Sequence, residues 1–257
     1  MWNIKEEDLG KFKMTCRDRL DPEGATGFMF GGILYSSIII FSIILSGGRD
    51  YCAALSEIGI VKLEVLLYVV QVIFFILYLF PKARFKFQKL QTLVILLYAF
   101  QLGTIGCTVV IVSKMVDSSI DWITLMYAGL LLLGAVIVHI VTTLDTFKQA
   151  SEGAFSMDER STSFFSNTKG TMMKWVAIYA LILLILTYFH TDYALDIFGM
   201  YVVGTVLMYA VAIGAAEFQL LVYCRFKFPS FNISWEEHQR QVQRYRKKNK
   251  KNKSKRR

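Results

Sequence analysis

The sequence predicts an all-α integral membrane protein: a polytopic bundle of six transmembrane helices with both ends on the cytoplasmic side. Three observations carry that expectation. Hydrophobic residues make up 54% of the chain and charged residues 19%, with a mean hydropathy of +0.44, whereas a soluble domain is about 45–50% apolar and about 25% charged. The apolar excess is gathered into blocks, the longest of which, residues 90–113, holds no charge; crossing a hydrocarbon core of about 30 Å takes about 20 such residues in a helix. Finally, the basic residues are unevenly divided between the connections that join the blocks.

Six spans follow from the blocks, at residues 27–45, 60–80, 90–113, 122–144, 173–189 and 197–223. Each is expected to be helical, because a helix satisfies its own backbone polar groups where no water can. Asp21, Pro22 and Gly24 interrupt the chain before the first span, leaving residues 1–26 as an N-terminal segment. The first span is not a cleavable signal peptide, since a long mixed-charge stretch precedes it and its apolar run exceeds the usual signal core. The second span carries Lys62 and Glu64 at its outer end, and Pro81 stops it, a ring without an N–H being a cheap helix terminator. Short connections favour antiparallel neighbours. The one long connection, residues 145–172, is rich in serine and threonine and reads as a flexible or half-helical link. No internal repeat stands out.

Sorting lysines and arginines by side gives five in the N-terminal segment, four after the second span, four in and beside the long connection and thirteen from Cys224 onward. That places twenty-six on one side against Arg49, Lys62 and Lys114 on the other. Such a bias sets the basic side inward, and an even number of spans returns the chain to the same side. The basic tail, residues 224–257, ends in Arg244, Arg246, Lys247, Lys248, Lys250, Lys251, Lys253, Lys255, Arg256 and Arg257 with no acid among them. It reads as a topogenic segment lying on anionic lipid headgroups, each nearby basic residue contributing about 1 kcal/mol. Contact with a ribosome or nucleic acid is the competing reading, since basic runs attract phosphate of any kind. Lys253 and Lys255 also match a dilysine retrieval pattern, which would matter only in a eukaryotic host. Ser234 with Glu237 fits a capping box and predicts a helix start there. Asn232 lies in a glycosylation pattern but on the cytoplasmic side, so it is expected to be unmodified.

Ionisable groups inside a span are costly and point to function by default. His139 in the fourth span and Glu217 in the sixth fall at similar depths, about 8–9 Å from the inner boundary, and would meet if those spans are neighbours. Gln101, Thr104 and Thr108 share one face of the third span, while His139, Thr142 and Thr143 form a stripe on the fourth; Gln71, Ser36 and Ser37 are further polar groups. Two expectations stand side by side: a narrow hydrophilic path or proton relay built on His139, Glu217, Gln101, Thr104 and Thr142, or ordinary interhelical hydrogen bonds at about 0.6 kcal/mol each.

Enzyme readings find no footing. The chain lacks a phosphate-binding loop, the HExxH and GxSxG signatures and a pair of membrane aspartates. Its four cysteines are scattered, so neither metal nor other cofactor is expected. His190 and Asp192 at the outer mouth would bind a cation only weakly. Three functional classes are consistent with this: a non-catalytic membrane subunit of a transport, secretion or insertion complex docking a cytoplasmic protein partner; a self-sufficient small carrier or channel; and an immunity or regulatory protein that binds a membrane-active partner. The missing energy source favours the first.

Overall fold

The computed structural model describes residues 2–19, 21–56, 59–115, 122–157, 167–190, 195–240 and 242–244. Among them every regular element is helical: α1 (Gly10–Arg19), α2 (Pro22–Ser56), α3 (Gly59–Leu79), α4 (Pro81–Lys86), α5 (Gln88–Met115), α6 (Trp122–Ser151), α7 (Asn167–His190) and α8 (Leu195–Lys227), with short 3₁₀ turns at Glu7–Leu9 and Pro229–Phe231. Six of these, α2, α3, α5, α6, α7 and α8, are long and apolar enough to cross a membrane. Their outward faces carry large apolar side chains, among them Ile38, Phe41, Leu66, Ile73, Leu133, Ile137 and Leu186. The protein is a multi-pass helical membrane protein.

Local chemistry explains several boundaries. Asp21 and Pro22 do not merely break the chain; they start α2. The Asp21 carboxylate accepts the Gly24 N–H at 2.6 Å, and Pro22 occupies the first helical position, where a missing N–H costs nothing. The helix therefore begins inside the segment that the sequence assigns to the N-terminal arm. Asp21→Ala is expected to lower stability by about 1 kcal/mol, visible as an earlier thermal melt in detergent. At the other end of the long connection's first half, α6 continues to Ser151 and closes where Gly153 adopts φ 79°. The Ala154 N–H reaches back to the Gln149 carbonyl at 3.1 Å, a Schellman closure that favours glycine.

The six long helices form two triplets, α2/α3/α5 and α6/α7/α8, joined by α5 against α8. Cross-contacts set the directions. Ser37 meets Tyr68 and Phe30 meets Phe75, so α2 and α3 are antiparallel. Gln91 reaches Thr26, so α5 runs parallel to α2. Tyr127 with Thr205 and Thr143 with Gln219 make α6 and α8 parallel, and Arg225 meets Thr92, so α5 and α8 are antiparallel. The second triplet thus repeats the order of the first in the opposite sense. Where α5 and α8 meet at Gly106 and Gly204, a Cβ on Gly106 would lie 3.2 Å from the Gly204 Cα, and small residues there allow backbone contact. Gly106→Leu forces these helices apart and is expected to cost about 2–3 kcal/mol, measured as a lowered melting temperature.

One end of the bundle gathers the N-terminal segment, the α3–α5 connection, the end of α6 and the chain beyond α8. Ile4, Leu9, Phe12 and Cys16 pack with Ala150, Phe155, Leu220, Leu221, Cys224 and Phe231 in a single buried cluster. The Lys11 N–H donates to the Phe155 carbonyl at 2.9 Å. Gln88 clamps the main chain of Ile233, its side-chain oxygen accepting the Ile233 N–H at 3.1 Å while its amide donates to the Ile233 carbonyl. Beyond that clamp the Ser234 hydroxyl accepts the Glu237 N–H at 3.1 Å and residues 235–240 are helical, as the capping pattern predicts. Trp235 meets the Phe85 ring of α4 edge-on and His238 meets it at a tilt, while Trp235 and His238 stack on each other. The start of the tail is a folded cap on the bundle.

Candidate functional site

The α3 helix is built mainly of aliphatic and aromatic residues, with Lys62 exposed near its start. Its buried residues are Glu64, Gln71 and Tyr78, spaced by seven, so a single seam faces the protein and that seam is polar. Glu64 is 8% exposed and lies about 8 Å inside the end of α3. Its carboxylate accepts the Gln101 amide at 2.9 Å on one oxygen and the Thr104 hydroxyl at 2.8 Å on the other. Thr108 reaches the Thr104-bound oxygen at 3.4 Å, and the Gln101 amide also donates to the Glu64 carbonyl at 3.0 Å. Every described partner of this carboxylate is neutral. The three donors share one face of α5, as their spacing requires, and what that face meets is Glu64.

The seam continues along α3. Tyr98 of α5, 1% exposed, donates to the Gln71 carbonyl at 2.6 Å. The Gln71 side-chain nitrogen is buried without a hydrogen-bond partner among the described residues, and an unpaired donor in hydrocarbon is expensive. Nearer the surface of the triplet, Ser37 and Tyr68 pair at 2.7 Å. Towards the opposite end Gln91 donates to the Pro22 carbonyl and to Thr26. Polar groups therefore recur along the α2/α3/α5 interface from the Glu64 end to the end that holds both arms.

His139 lies at the junction of α5, α6 and α8. Its ring stands edge-on to Phe100 at 5.1 Å. Nδ1 is 2.9 Å from the Ala212 carbonyl and Nε2 is 2.9 Å from the Gln219 amide nitrogen. A carbonyl only accepts, so Nδ1 carries the hydrogen and Nε2 accepts from Gln219; the Gln219 oxygen in turn accepts the Thr143 hydroxyl at 2.9 Å. Both ring nitrogens of His139 thus have partners on α8. Glu217 is not among the partners of His139. It is half-buried near Cys16 instead. The shared depth of His139 and Glu217 is therefore insufficient: residues 212 and 219 point at α6, and residue 217 lies on a different side of α8. Thr142 is directed away too, donating to the Val138 carbonyl at 2.6 Å and facing Met172 of α7. The polar residues singled out in the sequence thus fall into separate places. Gln101 and Thr104 join Glu64, His139 joins Gln219 and Thr143, and Thr142 and Glu217 belong to neither.

At the end that carries the cap, Arg225 is 3% exposed and donates to the Thr92 hydroxyl at 2.5 Å and the Gln88 carbonyl at 3.3 Å. Burial pushes the Cys16 thiol up to about 12, with Glu217 adding to the rise and Arg225 opposing it; this cysteine is an inert packing residue at neutral pH. On the surface, hydrogen bonds from Ser230 and Lys13 hold the Glu6 carboxyl below its usual range. Arg244 is exposed. Arg246, Lys247, Lys248, Lys250, Lys251, Lys253, Lys255, Arg256 and Arg257 lie outside the described residues, as do Asp192 and the side chains of His190 and Cys52. Among the described residues no group of histidine, cysteine, aspartate and glutamate is arranged to hold a metal.

Glu64 escaped selection because it sits beside Lys62 near the edge of a span, where charges are ordinarily solvated. The signal that identifies it is the seven-residue spacing of Glu64, Gln71 and Tyr78 on a helix whose other residues, Gly59 and Lys62 apart, are aliphatic or aromatic. No protein-family model, curated protein or solved structure matches this chain.

Proposed function

We propose that this multi-pass membrane protein is a small carrier that takes up one positive charge, a proton or Na⁺, at Glu64. The observation that carries the reading is a buried carboxylate in a spanning helix whose described partners are all neutral. A charge buried there without a counter-ion among the described residues is costly, and an arriving cation removes that cost. The hydroxyls of Thr104 and Thr108 can rotate to present lone pairs, so the same residues that donate to the carboxylate can coordinate Na⁺. The opposed senses of the two triplets add support by analogy, since many secondary carriers pair halves of inverted topology around a site in the membrane.

In this reading both arms are cytoplasmic, as the positive-inside bias requires, and the chain resides in the plasma membrane of a bacterium or the endoplasmic reticulum of a eukaryote. The tail rests on anionic headgroups. No catalytic role and no cofactor is proposed. The test is charge displacement by the purified protein reconstituted in liposomes on a solid-supported membrane. A jump in pH or in Na⁺ concentration is expected to give a transient current, and which of the two does so identifies the ion. Silence in both arms rejects the carrier.

A second reading, a subunit of a transport, secretion or insertion complex, is favoured by the folded cap at the basic end, which offers a protein partner a surface outside the spans. Mild-detergent affinity purification distinguishes the two: a stoichiometric partner supports the subunit, a homogeneous species of this chain alone the carrier.

A further inference from the structure

Where α5 and α8 meet at the basic end, a cleft of about 500 Å³ opens between the start of α5 and the end of α8. Its charged part is formed by Lys86 and Lys89, both exposed, beside the neutral polar side chains of Gln88 and Asn232. Its apolar part is formed by Leu90, Leu93 and Phe226, which are 38%, 42% and 53% exposed. The Lys89 ammonium lies 5.4 Å from the centre of the Phe226 ring, and the Lys86 ammonium 5.5 Å from that of Phe87, so the cations are held at the mouth by aromatic faces.

The geometry points to this cleft as a binding site for one anionic phospholipid. Its phosphate sits between Lys86 and Lys89, and an acyl chain lies along Leu90, Leu93 and Phe226. Charge complementarity argues for this occupant. Neither lysine has an acidic partner among the described residues, and residues 81–100 contain no aspartate or glutamate to neutralise them. Arg84, the neighbouring cation, is already engaged: its guanidinium donates to the Tyr78 and Leu79 carbonyls at the end of α3. The ammoniums of Lys86 and Lys89 therefore face a place that a headgroup phosphate reaches from the bilayer surface. Leu90 and Leu93 follow Lys89 along α5, with Lys86 beside it at the end of α4, which gives the order of charge then hydrocarbon that a phospholipid presents. Basic pockets between helices at this depth are suited to anionic headgroups. The site differs from the tail, whose attraction to lipid is diffuse and has no acyl-chain groove. It is also independent of Glu64, which lies at the opposite end of α3.

The test is native mass spectrometry of the full-length protein, delipidated in mild detergent and titrated with palmitoyl-oleoyl-phosphatidylglycerol or with the matching phosphatidylcholine. Spraying from about 1 M ammonium acetate, where the Debye length is about 3 Å, screens surface attraction to the tail. One phosphatidylglycerol is expected to be retained at least tenfold more tightly than phosphatidylcholine. Lys86→Gln with Lys89→Gln is expected to lose that preference, whereas Lys82→Gln with Lys148→Gln keeps it. Phe226→Ala, which leaves both lysines in place, is expected to weaken retention several-fold, and a melting curve confirms that each variant is folded. Equal retention of the two lipids overturns the proposal, as does wild-type retention by the Lys86/Lys89 variant. Glycerol 3-phosphate is the water-soluble headgroup probe; if it displaces the lipid at millimolar concentration, the site is one for soluble phosphate and the proposal is likewise overturned.

Discussion

Glu64→Gln is expected to abolish the pH- or Na⁺-driven current, reducing it at least tenfold to the background of empty liposomes, while the melting temperature stays the same or rises. Glutamine has the shape of glutamate. Its oxygen still accepts from Gln101 or Thr104, and a buried charge with no counter-ion among the described residues disappears, which removes a cost rather than adding one. What it cannot do is bind a cation by charge. Glu64→Asp keeps the charge but draws it back by one methylene, away from α5; a reduced current with weakened apparent affinity is expected. Thr104→Val keeps volume and removes one of the two hydroxyls, so about a tenfold loss of apparent affinity follows from losing a bond to a charged group. A full-sized current from Glu64→Gln would place the charge movement elsewhere and reject Glu64 as the site. A silent, poorly folded Glu64→Gln would instead mark the seam as structural, and for that reason the melt and the current are measured on the same preparation.

The largest stability effect is expected at Arg225. The guanidinium is enclosed between α5 and α8, bonded to Thr92 and the Gln88 carbonyl, with Asp21 at the start of α2 close enough to interact electrostatically. Asn232 donates to its main-chain carbonyl at 3.0 Å, so the same residue fixes the return of the chain towards Ile233. Arg225→Met preserves most of the volume but leaves those partners buried, at an expected cost of about 3 kcal/mol, since bonds to charged groups contribute about 1.5–3 kcal/mol each. The change should also loosen the cap, seen as faster proteolysis within residues 228–240. Arg225→Lys is expected to recover only part of the loss, because a single ammonium cannot reproduce the planar fork. A variant that melts and cleaves like the wild type would mean that the clamp of Gln88 on Ile233 holds the cap without Arg225.

The hydrophobic blocks and the backbone's need for internal hydrogen bonds made the class and the six helices legible, because both depend on composition and local pairing alone. The capping pattern at Ser234 was legible for the same reason: its donor and acceptor are three residues apart. The face of α5 bearing Gln101, Thr104 and Thr108 was legible too, since helical periodicity puts them together whatever they meet. Their partner was not. Glu64 is separated from Gln101 by thirty-seven residues, and nothing local tells a carboxylate near a span's edge from one turned into the protein. The pairing of His139 with Gln219 rather than Glu217 turned on azimuth around α8, about 100° per residue, where depth along the axis gives no information.

By itself, then, the chain determined its solvent. Apolar blocks of membrane length become helices with apolar outer faces, through transfer free energies that depend on each segment alone. The tertiary structure decided which polar residues are solvated, which are paired and which are charged and buried. Those outcomes depend on the neighbour across a helix interface. In a bundle whose outside is largely apolar, the interior seams are where sequence pattern is least informative, and the α3/α5 seam around Glu64 is one of them.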